Sequence, residues 1–328
     1  MDEKSPPEDN SPAQGRGRRI PEPAHPHVRH EPLPWHRPKP AHEDPDAPLR
    51  IEAILSGPGY RQADQDVDFL NRDDTRGLRL QLDYLKPETL LGQHGIAHTI
   101  VVFGSTRVPE PAAARSRVET LQRALAESPG DGRKRRQLAI AERILAKSRY
   151  YDVAREFGRL VGNAGKGPAD SRIVIMTGGG PGVMEAANRG ADDVGAQSVG
   201  LNINLPHEQY PNPYITPDLC FRFHYFALRK LHFLLRARAL VAFPGGYGTF
   251  DELFETLTLI QTRKIRPLPV ILVGEKYWRQ AFDVDFLVDE GVIDAEDRDL
   301  FWFAESAEDI WGGIAHWYEA SGEPLIPA

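Results

Sequence analysis

Five apolar runs, at 99–103, 173–176, 198–203, 239–243 and 268–273, recur along the chain. Runs this short, rich in Val, Ile and Leu, read as strands buried on both faces. Between them the apolar positions fall at helical spacing. Such patterns cover 150–161, the stretch after Glu185 (Ala186, Ala187, Ala191), 226–237, the stretch after Glu252 (Leu253, Leu257, Ile260), 277–289 and 307–320. In 226–237 the spacing turns Leu228, Leu231, Leu234 and Leu235 toward a core. Two shorter runs, 219–223 and 300–303, read as further strands, the second at a sheet edge. Strands alternating with helices predict an α/β fold: a Rossmann-like, doubly wound parallel sheet with right-handed crossovers. No internal repeat is visible.

The expected domain spans 97–328. Before it, 49–96 reads as a helical extension, with patterns at 66–71 and 78–91 (Leu78, Leu82, Leu85) laid over the main domain. Residues 1–48 hold 12 of the 28 prolines and 5 of the 11 histidines, with few aliphatic side chains. Such a segment cannot bury enough surface to offset its ordering entropy, so a disordered tail is expected. An insertion at about 108–148 carries two helical patterns, 112–126 and 133–147, broken by Ser128-Pro129-Gly130-Asp131-Gly132. This is a helical hairpin. The charges on its second arm (Lys134, Arg135, Arg136, Arg143, Lys147) suggest a solvated or subunit-facing surface.

Composition narrows the classes. The net charge is −7, with 47 acidic against 40 basic residues. Nucleic acid is not an expected partner of such a chain, since the phosphate backbone calls for a basic stripe. Cys220 is the single cysteine, which fits a reducing cytoplasm and leaves no cysteine metal cluster. The opening residues lack the apolar core of a signal peptide, and no apolar run approaches a bilayer span, so neither a leader nor a membrane partner is expected. His94 and His98 stand four apart, but Gly95 lies between them and a strand follows, which favours a structural role. The string Gly162-Asn163-Ala164-Gly165-Lys166-Gly167 is no P-loop. It lacks the four-residue gap before Gly-Lys and the Ser or Thr after Lys166, and it follows a helix.

The chemistry gathers at glycine-rich turns from strand to helix. The richest is Phe243-Pro244-Gly245-Gly246-Tyr247-Gly248-Thr249-Phe250-Asp251-Glu252. Such a turn leaves backbone N–H groups open at the positive end of a helix dipole, an anion site best suited to phosphate. Glu252 is expected in the first helical turn, where it complements the dipole or acts on a bound phosphorylated ligand. Thr177-Gly178-Gly179-Gly180-Pro181-Gly182-Val183-Met184-Glu185 is a second such turn. It is no dinucleotide fingerprint: the pattern read from Gly178 fails at Val183, and the strand 198–203 ends near Asn202 and Asn204 rather than an acid. Glu185 complements the dipole or contacts ligand. Gly104 and Ser105 end the first strand, where Ser105 donates to phosphate or caps the turn. Arg229 and Lys230 stand near a helix N-terminus, where cations are unfavourable; a bound anion would account for them.

Taken together, Gly178-Gly179-Gly180-Pro181-Gly182-Val183-Met184, Arg229-Lys230 and Pro244-Gly245-Gly246-Tyr247-Gly248-Thr249-Phe250-Asp251-Glu252 resemble the LOG family of cytokinin-activating enzymes, long mislabelled lysine decarboxylases. Its signature P-G-G-x-G-T-x-x-E is matched in full. The resemblance covers roughly 97–320 and implies a phosphoribohydrolase. Such an enzyme cleaves the N-glycosidic bond of nucleoside 5′-monophosphates, AMP or N6-modified AMP, to free base and ribose 5-phosphate. It implies Arg229 and Glu252 as catalytic residues. It further implies Gly104, Ser105, Gly178, Gly179, Gly180, Gly182, Met184, Glu185, Lys230, Pro244, Gly245, Gly246, Tyr247, Gly248 and Thr249 as substrate-binding, with no cofactor and no metal. A homodimer or larger even homo-oligomer is implied too. The chain departs from short members in its extra region before 97, in the 108–148 insertion, and in Leu231-His232-Phe233 after Arg229-Lys230. The alternative is a protein of this fold that binds a nucleotide or cofactor without hydrolysis. A pyridoxal-phosphate decarboxylase would need a Schiff-base lysine, and Lys230, beside an arginine, is the one lysine near the turns.

Overall fold

The computed structural model describes residues 37–164, 172–203 and 210–326. The expected tail up to residue 36, Gly165-Lys166-Gly167 and residues 206–209 of the proline-rich loop lie outside the described residues. Internal contacts divide the chain into Met1–Phe69 and Leu70–Ala328. The first unit holds α1 (Ala47–Ser56), which has proline in its first turn, where the missing N–H costs nothing. A single turn, α2 (Val67–Leu70), falls at the division.

The second unit opens with α3 (Arg76–Gln93) and β1 (His98–Phe103). The insertion follows as α4 (Pro111–Ala126) and α5 (Gly132–Lys147), then α6 (Arg149–Ala164). Next come β2 (Ile173–Thr177), α7 (Val183–Asp193), β3 (Ser198–Ile203), β4 (Cys220–Phe223) and α8 (Phe226–Leu235). β5 (Ala237–Ala242), α9 (Tyr247–Gln261), β6 (Val270–Val273), α10 (Glu275–Ala281) and α11 (Val284–Asp289) lead to β7 (Trp302–Ala304) and α12 (Ala307–Ser321).

Among the described residues the strands form one seven-stranded sheet in the order β4-β3-β2-β1-β5-β6-β7, every pair parallel. From β1 the chain first builds toward β4, then returns to β5 and builds the other way. The order therefore reverses between β1 and β5, which is where ligands gather in open α/β sheets. Both faces are covered, which is why the strands read as unbroken apolar runs. One core joins the sheet to α6, α7 and α12 through Phe157, Val183 and Ile310. The other joins it to α3, α8, α9 and α10 through Leu91, Phe233, Leu253 and Trp278. Val118, Leu121 and Ala141 make a small separate core between the insertion's two helices.

Three expectations are corrected. The stripe Leu78, Leu82 and Leu85 faces solvent, and α3 packs by its other face and its C-terminal turn, where Leu91 is buried. On α8 the buried residues are His232 and Phe233, while Leu231 and Leu235 are exposed. Periodicity finds an apolar stripe but does not say what it packs against. The helix expected at 277–289 is two, because Asp283 starts α11 by accepting from the backbone N–H of Asp285 and Phe286. Among the described residues no helix is long and apolar enough to cross a membrane.

Candidate functional site

A cleft of about 1010 Å³ opens at the C-terminal ends of β1 and β5. The two turns that form it are tied directly: Phe243 N–H donates to the Phe103 carbonyl at 2.9 Å and Ser105 N–H to the Pro244 carbonyl at 3.0 Å. Of the residues singled out by sequence, Gly104, Ser105, Met184, Arg229, Pro244, Gly245, Gly246, Tyr247, Gly248, Thr249 and Glu252 line it. Gly178, Gly179, Gly180, Gly182, Glu185 and Lys230 are not in its lining.

The Pro244 turn enters α9. Gly246 carbonyl accepts from Thr249 and Phe250 N–H, closing the first turn. The N–H groups of Gly245, Gly246, Tyr247 and Gly248 donate to no acceptor among the described residues. Orphan donors at a helix start are where an anion is held. Tyr277 hydroxyl donates to the Gly245 carbonyl and fixes the turn. A side chain at Gly245 would come within 2.0 Å of Thr249 Oγ1, so the turn folds onto the helix only with glycine there.

Glu252 sits in the second turn of α9 rather than the first and is only 5% exposed. Burial raises its carboxyl to about 7, although Arg229 and Lys230 pull the other way. Arg229 Nη1 lies 3.8 Å from Glu252 Oε1, close enough to attract but longer than a hydrogen bond. Arg229 Nε donates to the Leu201 carbonyl on β3 at 2.7 Å, and its guanidinium lies over the Phe233 ring at 4.9 Å. Burial lowers the Arg229 pKa from its ordinary value, yet arginine stays charged.

The second glycine turn serves this arginine from behind. A Cβ on Gly178 would fall 2.7 Å from Arg229 Nη2, so glycine makes room for the guanidinium. Gly179 and Gly182 adopt φ of +71° and +76° and press against Asn202 and the Ser105 carbonyl. A buried network holds the turn: Asn188 Oδ1 accepts from Thr177 Oγ1 at 2.7 Å and from Asn212 Nδ2 at 3.0 Å, and Gly180 carbonyl accepts from Asn212 Nδ2. Glu185 accepts from Tyr151 hydroxyl at 2.8 Å, facing α6. Ser105 Oγ accepts from Arg107 N–H at 3.1 Å and so caps its own turn.

The cations near the start of α8 have partners of the protein's own. Asp83 Oδ2 on α3 accepts from His224 and Tyr225 N–H at 2.9 and 2.8 Å, putting a carboxylate on the α8 N-terminus. Lys230 Nζ is held between Asp251 and Glu255, each at 3.1 Å. No bound anion is needed to explain them. Sequence reasoning did not assign to the site several residues that the cleft includes, among them Arg107, Ile140, Arg143, Ile144, Lys147, Phe226 and Tyr277. Four of these lie on α5, so the insertion walls the cleft.

Known proteins resemble this chain. Residues 184–314, which contain both Arg229 and Glu252, match the family model described as "possible lysine decarboxylase". A probable cytokinin riboside 5′-monophosphate phosphoribohydrolase of Oryza sativa subsp. japonica is 37% identical over 84 residues, 25% of this chain and 36% of the relative. A cytokinin riboside 5′-monophosphate phosphoribohydrolase of Arabidopsis thaliana is 28% identical over 170 residues, 50% of this chain and 74% of the relative. The X-ray structure titled TM1055 is 21% identical with a TM-score of 0.40, covering 67% of this chain and 99% of that one.

Proposed function

We propose, from the premise that the chain belongs to the LOG family, that it hydrolyses the N-glycosidic bond of nucleoside 5′-monophosphates, AMP or N6-modified AMP, to free base and ribose 5-phosphate. The observation that carries this reading is the buried Arg229–Glu252 pair, 3.8 Å apart, in one cleft with the open N–H groups of the Pro244 turn. The turn takes the 5′-phosphate, with the α9 dipole behind it. Phosphate held there supplies binding energy that positions the sugar.

Cleaving the bond builds positive charge on the ribose ring. Glu252, as carboxylate, stabilises that charge, orients the attacking water or holds the ribose hydroxyls. Arg229 is anchored through Nε to the Leu201 carbonyl, which leaves the rest of its fork for phosphate or for the departing base. Lys230 has no part in Schiff-base chemistry on this reading, since two carboxylates hold its ammonium. An even homo-oligomer belongs to the same proposal, tested by light scattering on the whole chain.

The experiment is incubation of the purified chain with AMP, GMP, CMP and N6-isopentenyl AMP, following free base by chromatography. Glu252→Gln should lower turnover by about 100-fold or more, as for a group acting on developing charge. Base release by a folded Glu252→Gln at the parent rate would sink the assignment.

A further inference from the structure

The cleft holds more positive charge than one phosphate on the Pro244 turn requires. Arg229 has Glu252 beside it at 3.8 Å, and Asp251, the other acid in the lining, is tied to Lys230. Arg107, Arg143 and Lys147 also line the cleft, and among the described residues none of them has a carboxylate within ion-pair distance. The one side-chain bond among them is Lys147 Nζ to the Arg143 carbonyl, 3.2 Å away on the same helix. Arg143 and Lys147 stand four residues apart on α5, about 6 Å along its axis, so both can close on one phosphate.

This wall is fixed in place. Asp131 caps α5 by accepting from Arg133 and Lys134 N–H at 2.9 and 3.2 Å, and Lys134 Nζ ties back to the Ala124 carbonyl at 2.9 Å. Glu110, at the start of α4, pairs with Arg189 on α7, joining the insertion to the sheet's own helices. The cleft volume of about 1010 Å³ stands at the top of the range for small-molecule sites, leaving room beyond a monophosphate.

We propose that Arg143 and Lys147, with Arg107, form a second anion subsite on the inserted wall, which takes the further phosphate of a nucleotide carrying more than one. The inference rests on the reading above only for placing the first phosphate on the Pro244 turn. The insertion is thereby a determinant of which nucleotides the cleft holds, as substrates or as competitors.

The test is calorimetric titration of the full chain carrying Glu252→Gln with AMP and with ADP, in EDTA to keep magnesium off the diphosphate. ADP is expected to bind at least about tenfold more tightly than AMP, through charge-assisted hydrogen bonds to the added phosphate. Adding Arg143→Gln and Lys147→Gln should bring the ratio of the two dissociation constants close to one. Arg143→Gln alone, at an exposed position, should lower it part of the way. Equal affinities in the parent would overturn the proposal before any subsite variant is made, and so would a ratio unchanged in the double variant. Failure of hydrolysis shows separately, as absence of free base from the wild type, and leaves this ratio to be read on its own.

Discussion

Replacing Glu252 by glutamine should make the protein more stable, and increasingly so as pH rises. Burial raises this carboxyl from its ordinary 4.5 to about 7, so the folded state favours the neutral acid. In the unfolded chain the same group ionises at its ordinary value. The sign follows: stability from this group is complete below 4.5 and is lost as pH rises to 7, because the unfolded state gives up its proton first. The whole loss is about 3 kcal/mol, of which about 2.5 falls between pH 5 and pH 8. Glutamine cannot ionise, so Glu252→Gln should lack this loss. Guanidinium unfolding at pH 5, 6, 7 and 8 would measure it. The variant's stability relative to wild type should climb by about 2.5 kcal/mol across the series. A constant difference would mean that Glu252 ionises normally, and the burial argument would be wrong.

Other variants separate the supports of the site. Gly178→Ala puts a methyl 2.7 Å from Arg229 Nη2 and should cut base release far more than it lowers the unfolding midpoint; equal losses of both would refute the seating role. Asp83→Ala removes the acceptor of His224 and Tyr225 N–H and should cost about 1 kcal/mol in denaturant unfolding, with α8 as the weakened element in hydrogen exchange. Arg229→Gln takes away the cation nearest Glu252, so the acidic limb of kcat/KM, expected near pH 7 in the wild type, should move to higher pH in whatever activity remains. A limb that stays in place would show that the two groups are not coupled.

The strands were legible because a sheet covered on both faces writes itself as apolar runs, as at 99–103 and 239–243. That the doubly wound order reverses between β1 and β5 in particular was not, since the place depends on long-range pairing. The leucines at 78, 82 and 85 show the limit of periodicity, which gives a stripe without its partner. In the site, the Pro244 turn and the Arg229–Glu252 pair were readable from glycine spacing and the LOG resemblance. The triple-glycine turn was read as a ligand loop; in the structure, room for Arg229 and Asn202 accounts for the glycines at 178 and 179. Arg143 and Lys147 were read as part of a solvated or subunit-facing surface, because a cation on an amphipathic helix looks the same whether it meets solvent or a cleft. The high pKa of Glu252 escaped too, because desolvation belongs to the packed structure.

The most direct measurement is a joint assay of AMP breakdown at pH 8, quantifying adenine, ribose 5-phosphate, adenosine and inorganic phosphate in one reaction. Adenine and ribose 5-phosphate in equal amounts from the wild type, and neither from Glu252→Gln, is the predicted result. Adenosine with inorganic phosphate, or bound AMP recovered intact, would contradict the account.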